Sequence, residues 1–246
     1  MTTIHNSKSI YYFENKFINI IKDVYKKYNF NDDLKNFHKI LQNSQYFTIN
    51  DIIEMKKIKE IGINDRTSIL YKDYHKFVDN NESLNIVYIN FINEYVKPLY
   101  SCDKIVVQKT PNIRISFPES CAIGKNNYEN EIDDIIGLHK DSDFGHHESE
   151  INFVIPITEM FDTNSIYYEP YENSDLPKNE FLNLKLNKDE FFIEKFNKLL
   201  HFNKINKTGF TRISLDFRII PYEIYFENLK YFENTKFEIG KYYTII

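Results

Sequence analysis

Residues 211–220 read TRISLDFRII, and the fold of the chain turns on this stretch. Its apolar residues Ile213, Leu215, Phe217 and Ile219 alternate with Arg212, Ser214, Asp216 and Arg218. A period of two marks a β-strand, whose successive side chains point to opposite faces of its sheet. One face is greasy and the other is charged. A charged face often looks into solvent from the outside of an antiparallel sheet, but here the division recurs. In NIRISFP (112–118), Asn112, Arg114 and Ser116 stand opposite Ile113, Ile115 and Phe117. In EINFVIPI (150–157), Glu150 and Asn152 stand opposite Ile151, Phe153 and Ile155. Three such strands can line a polar cavity while their apolar sides pack on helices.

Outward from these strands, KIVVQKT, DIIGLHKD, NSIYYE and LNLKL add further short strands. From about Lys104 onward the chain therefore reads as a β-domain of sandwich or barrel type. The first hundred residues have another period. SIYYFENKFINIIKDVYKKY sets Phe13, Phe17, Ile20, Ile21 and Val24 three and four residues apart, on one helix face. DDLKNFHKIL, NDIIEMKKIKEI and ESLNIVYINFINEYV repeat the pattern, with Asn50 and Asn81 placed as N-caps. These helices are expected to cover one outer face of the β-domain.

The composition, 42% hydrophobic and 27% charged over 246 residues, is that of one globular domain spanning 1–246. A net charge of −5, with no basic run interleaved with aromatic platforms, argues against a nucleic-acid partner. Lys56 and Lys57 fall at helical spacing and read as a solvated face. No apolar run approaches the roughly 20 residues that cross a bilayer, and the start carries no secretory apolar region, so a cytoplasmic protein is expected. Cys102 and Cys121 are expected to be reduced and lack zinc-ligand spacing.

The chemistry gathers in the triplet HKD. On a strand or its end, His139 and Asp141 project to the same side. A third ligand from a distant strand would complete two histidines and one carboxylate on one face of a metal, leaving positions open for a co-substrate and oxygen. His201 is chosen from the seven histidines for its spacing to an arginine. Ten residues separate it from Arg212, and Ser214 stands two further along on the same face. A guanidinium fork with a neighbouring hydroxyl suits a carboxylate. Arg114 and Gln108 are candidates for co-substrate or substrate contact, with a salt bridge or hydrogen bond inside the barrel as the alternative. Asn152, Asn164 and Asn206 are candidate substrate contacts against turn or strand-pairing roles. Asp216 and Arg218 are expected to pair with each other, a structural role. His146 and His147 read as turn residues beside the motif, with a supporting role behind the ligands as the alternative. His5, His38 and His75 belong to the helical half and are given no chemistry.

Taken together, QKTPNIRISFP, HKDSDFGHHESEINFVIPIT, TNSIYYEP, HFNKINKTGFTRISLDFRIIP and GKYYTII resemble the streptomycin-biosynthesis-type branch of the iron(II)- and 2-oxoglutarate-dependent dioxygenases. The resemblance spans roughly the last 140 residues. It implies an α+β fold with a double-stranded β-helix, or jelly-roll, core over 101–246 and the mainly helical segment 1–100 packed on its outer face. It also implies iron(II) on His139, Asp141 and His201, 2-oxoglutarate on Arg212, and O2 as oxidant. The activity implied is hydroxylation of a small polar metabolite with release of succinate and CO2. With Asp141 in place of a halide, halogenation is disfavoured. A cupin-like binding module without turnover and a non-oxidative metalloenzyme are the competing readings. The sequence specifies no oligomeric state.

Overall fold

The computed structural model describes residues 3–6, 8–28, 33–42, 68–119 and 135–246, with side chains from Tyr12 onward and Gln42 excepted. The helix expected over 50–61, its cap Asn50, the Lys56-Lys57 pair, Cys121 and the side chain of His5 lie outside the described residues.

Ahead of the first helical stretch lies a strand, β1 (Thr3–Asn6). Helices α1 (Lys8–Tyr25), α2 (Phe37–Gln42), α3 (Ile69–Asn80) and α4 (Ser83–Phe91) come next. A π-helical stretch (Ile92–Val96) joins α4 to α5 (Lys97–Tyr100). At the start of α4, the side chain of Asn81 accepts the Ser83 N–H at 2.9 Å.

The strands are β2 (Ile105–Gln108), β3 (Asn112–Ser116), β4 (Ile135–His139), β5 (Ile151–Pro156), β6 (Ile166–Tyr168), β7 (Leu182–Asn183), β8 (Glu190–Glu194), β9 (His201–Lys204) and β10 (Arg212–Pro221). Two short helices, α6 (Tyr222–Glu227) and α7 (Leu229–Phe232), precede β11 (Tyr243–Ile245). The strands form two antiparallel sheets. The larger runs β1-β8-β5-β10-β2-β11, with β3 also on β10, and the smaller runs β4-β9-β6-β7. Along the chain, β3, β5, β8 and β10 enter the large sheet while β4, β6, β7 and β9 enter the small one.

β10 organises the large sheet. Its first half pairs with β3, Ser214 opposite Arg114, its last residues pair with β2, and its other edge pairs with β5, Arg218 opposite Asn152. The alternation read in the sequence puts Ile213, Leu215, Phe217 and Ile219 in one apolar core with Phe13, Phe17, Phe91 and Phe153. Tyr88 meets the Phe217 ring edge-on at 5.0 Å, and Phe91 meets Phe191 at 5.5 Å, so the helices do cover this face. Tyrosines buried there keep their hydroxyls satisfied: Tyr74 donates to the Pro111 carbonyl and Tyr88 to that of Gln108. A second core, including Val154, Tyr168, Phe192 and Phe196, fills part of the opposite side of β5 and β8. The remaining side of β10 is polar and buried. No helix among the described residues is long and apolar enough to cross a membrane, and Cys102 carries a free thiol.

Candidate metal centre

Three separate pieces of backbone bring His139, Asp141 and His201 together. His139 ends β4, Asp141 opens a 3-10 turn (Asp141–Phe144), and His201 begins β9. β4 and β9 are antiparallel neighbours that pair His139 with His201. Both rings leave the same face, with centroids 4.3 Å apart. The register slips between Ile136 and His139, where Gly137 adopts φ +68°, a left-handed conformation that glycine takes without steric cost. This bulge has a chemical consequence, because the Gly137 carbonyl accepts the Nδ1 proton of His139. The Leu199 carbonyl does the same for Nδ1 of His201 at 3.0 Å. A carbonyl can only accept, so each Nδ1 is the protonated nitrogen and each Nε2 presents a lone pair. These Nε2 atoms lie 3.6 and 3.8 Å from Oδ1 of Asp141. All three donor atoms fall within 4.8 Å of one another, the sole such group of three found among the described residues.

Asp141 is buried, and its second oxygen is already engaged. Oδ2 accepts hydrogen bonds from Nδ2 of Asn152 at 2.7 Å and from Nη2 and Nε of Arg218 at 2.6 and 3.2 Å. Burial alone would push this carboxyl up, but the Arg218 cation, helped by His139 and His201, holds it well below the ordinary range. His201 moves the other way for an imidazole: burial, then the neighbouring His139, lowers it to about 4, so the ring is neutral at pH 7. Two imidazoles, each with Nδ1 held by a carbonyl, and one ionised carboxylate fit the facial donor set of a non-haem iron(II) site.

The polar side of β10 continues from this centre in both directions. Towards the start of the strand, Arg212 is 2% exposed. Its guanidinium donates to Ser214 Oγ at 3.1 and 3.3 Å, to the Asn164 carbonyl at 3.2 Å and to Asn203 Oδ1 at 3.1 Å. Asn203 is two residues beyond His201 on β9, hence on the same face, which ties Arg212 to the metal side of the small sheet. Asn164 also accepts the Phe161 N–H at 2.8 Å, a turn role, while its Nδ2 is buried without a hydrogen-bond partner among the described residues.

Towards the end of the strand lies a network of charges. Arg218 approaches Asp141 far more closely than Asp216, whose Oδ2 is 3.8 Å away. The pairing expected from sequence between Asp216 and Arg218 is thus the weaker contact. Asp216 is held instead by Arg114 at 2.8 Å and by Asn112 at 3.1 Å. Arg218 also meets Glu150 at 3.6 Å and the Tyr242 hydroxyl at 3.2 Å. Tyr242 donates to Oε1 of Gln108 at 2.9 Å, and Gln108 donates to the Thr110 carbonyl. His146 is buried against Glu150 at 2.6 Å, so it joins the network, whereas His147 bonds Ser149 and packs on Tyr231. Asn206 holds a turn, donating to the carbonyls of Ser116 and Phe210. His38 bonds Thr211, and His75 packs on Tyr71.

The sequence reading named His139, Asp141, His201 and Arg212 and put Glu150 on the polar face, but did not single out Asn203, Gly137 or Tyr242. A glycine inside a strand pattern is the one local signal that could have pointed to the bulge.

No family model matches the chain. The streptomycin biosynthesis protein StrG of Streptomyces griseus is 22% identical over 207 residues, covering 80% of this chain and 90% of that one. Coverage of 80% exceeds the last 140 residues, so the likeness reaches into the helical half. Among solved structures, a non-heme monooxygenase, the ThoJ–Ni complex, aligns at TM-score 0.38 and 10% identity over 60% of this chain and 54% of that one, little more than half its length. The epimerase SnoN, in complex with Fe3+, alpha ketoglutarate and nogalamycin RO, aligns at 0.36 and 10% over 65% and 62%. Scores this low carry no argument about the present site. By its sequence match the chain is similar to a streptomycin biosynthesis protein, and its His-Asp-His cluster is one that could hold a metal ion.

Proposed function

We propose that this protein is an iron(II)- and 2-oxoglutarate-dependent dioxygenase that hydroxylates an unactivated C–H bond of a small polar metabolite. The observation that carries the reading is the convergence of His139 Nε2, His201 Nε2 and Asp141 Oδ1, with Arg212 on the neighbouring strand. The strand order supports a double-stranded β-helix, since from β3 to β10 every step but β6 to β7 passes between the two sheets. In that fold the polar side of β10 faces the site and the apolar side lies under the helices.

When bound, iron(II) with 2-oxoglutarate and O2 supplies the oxidation, with succinate and CO2 as by-products. The residues provide placement. His139 and His201 offer Nε2 donors, and Asp141 offers one oxygen and a negative charge. Arg212 and Ser214 hold the far carboxylate of the co-substrate through a charge-assisted fork and a hydroxyl. Asn203, the neighbour of Arg212, stands two positions after His201 on β9, a step of about 7 Å along the strand. Burial of Arg212 and His201 excludes water from both ends of the bound oxoacid.

The test is an anaerobic iron(II) titration with and without 2-oxoglutarate, following the weak visible charge-transfer band in wild type and His139→Ala. A band that requires both ligands and disappears in the variant supports the assignment. Its absence from folded wild-type protein overturns it and moves the reading to a binding module.

A further inference from the structure

We propose that Arg218 and Asn152 are positioning residues that restrict Asp141 to a single metal-binding oxygen, so that a coordination place stays open for oxygen. The inference rests on the metal site proposed above. A carboxylate can bind a metal through one oxygen or through both. In a facial site the choice matters, because the three protein donors must leave room for a two-point co-substrate and for oxygen. A second oxygen from Asp141 would take the last place.

The structure shows what prevents this. Oδ1 faces His139 and His201, whereas Oδ2 is turned away and holds three hydrogen bonds from two side chains on two strands, β5 and β10. Arg218 and Asn152 sit opposite each other in the β10–β5 register, so one sheet rung supplies both donors. Rotating the carboxylate to offer both oxygens would break a buried charge-assisted pair, a costly change. The clamp is itself clamped. Arg218 reaches Glu150 at 3.6 Å, Asp216 at 3.8 Å and the Tyr242 hydroxyl at 3.2 Å, and Glu150 is fixed by His146. The backbone is tied as well, since the Asp141 N–H donates to the Phe196 carbonyl at 2.9 Å. A guanidinium used only for charge balance would not need this aim. Here its two hydrogen bonds to a carboxylate both go to Oδ2 of Asp141, while Glu150 and Asp216 stand off at 3.6 and 3.8 Å.

The experiment uses nitric oxide as a probe of the open place. Wild type, Asn152→Ala, Arg218→Met and Arg218→Lys are loaded anaerobically with iron(II) and 2-oxoglutarate. Nitric oxide is then titrated and the adduct read by electron paramagnetic resonance, with iron affinity measured separately. Asn152→Ala and Arg218→Met are expected to keep iron affinity within about threefold of wild type and to lose affinity for nitric oxide about tenfold or more. Arg218→Lys should recover part of the loss. Asn152→Ala removes no charge, so it carries the test if Arg218→Met does not fold. Wild-type nitric oxide affinity in the folded variants would overturn the proposal, as would loss of iron and nitric oxide binding in equal measure. Failure of the underlying reading is distinct: wild type itself would then bind no iron.

Discussion

The two sides of the large sheet bury carboxyl groups in opposite ways. Between the sheets, Asp141, Glu150 and Asp216 are each held by a cation, an amide or a ring N–H. On the helical side, Glu14 of α1 is buried with both oxygens lacking a hydrogen-bond partner among the described residues. It occupies the turn between Phe13 and Phe17, at positions that continue the apolar stripe of that helix. The space between the sheets therefore tolerates charge because it is a network. The helical interface shows no such network among the described residues, and the Glu14 carboxyl is pushed up to about 8. β10 separates the two regimes residue by residue, which makes it the place to test them.

The largest effect is expected on its apolar side. Phe217→Ala removes a ring stacked on Phe153 at 5.0 Å and met by Tyr88 and Phe91. The loss should be about 3–5 kcal/mol in urea denaturation, with iron(II) affinity of the protein that remains folded close to wild type. A large change in metal affinity would show that the two sides are not separable. On the polar side of the same strand, Arg212→Ala should do the converse. Losing a charge-assisted contact of about 2–3 kcal/mol corresponds to a roughly 30- to 150-fold weaker hold on 2-oxoglutarate, while iron(II) affinity alone stays within about twofold. Unchanged oxoacid affinity would remove Arg212 from the co-substrate site.

Acidity sharpens the contrast, because the two regions respond with opposite sign. Burial raises Glu14 to about 8, with smaller and opposing influences from Lys188 and Asp189. Folding therefore takes up a proton between the ordinary glutamate value and pH 8, and this contribution to stability fades as pH rises through that window. Asp216 is also pushed up by burial, but Arg114 and Arg218 outweigh this and depress it. Its contribution is present above the ordinary aspartate value and is lost as pH falls below it. Glu14→Gln should flatten the alkaline side only, gaining about 1–3 kcal/mol over wild type at pH 8 and little at pH 5. Equal slopes in thermal melts of the two proteins from pH 5 to 8 would mean that the Glu14 carboxyl is not confined as described.

Legibility in the sequence divides along the same line. Alternation in 112–118, 150–157 and 211–220 specified which side chains share a face, because a strand permits only two. The meeting of His139, Asp141 and His201, and the place of Arg212 on the polar side of β10, were legible through spacing and resemblance. β8 and β9 were not: EFFIE has no alternation to detect, and HFNK is four residues long. The partner of Arg218 was hidden for another reason. Asp216 is its neighbour in sequence on the same face, yet residues two apart on a strand stand about 7 Å apart, and Arg218 meets the carboxylate 77 residues away more closely. Glu14 was hidden because an amphipathic stripe identifies a buried face without saying that every residue on it is apolar.

The smallest expected effect concerns Ser214, whose hydroxyl accepts from Arg212 in the structure. A hydroxyl can accept from the guanidinium and donate its own proton to a carboxylate at the same time. If it does both, Ser214→Ala removes one neutral-to-charged hydrogen bond and loosens the aim of Arg212, at about 1 kcal/mol, or roughly fivefold in 2-oxoglutarate affinity. If Ser214 only seats Arg212, the remaining bonds to Asn164 and Asn203 keep the guanidinium in place and the affinity changes by less than about twofold. Calorimetric titration of 2-oxoglutarate into the metal-loaded variant separates these outcomes. The Arg212→Ala/Ser214→Ala pair then reports coupling: a double variant no weaker than Arg212→Ala alone places the hydroxyl wholly in the service of the arginine, and a further loss assigns it a contact of its own.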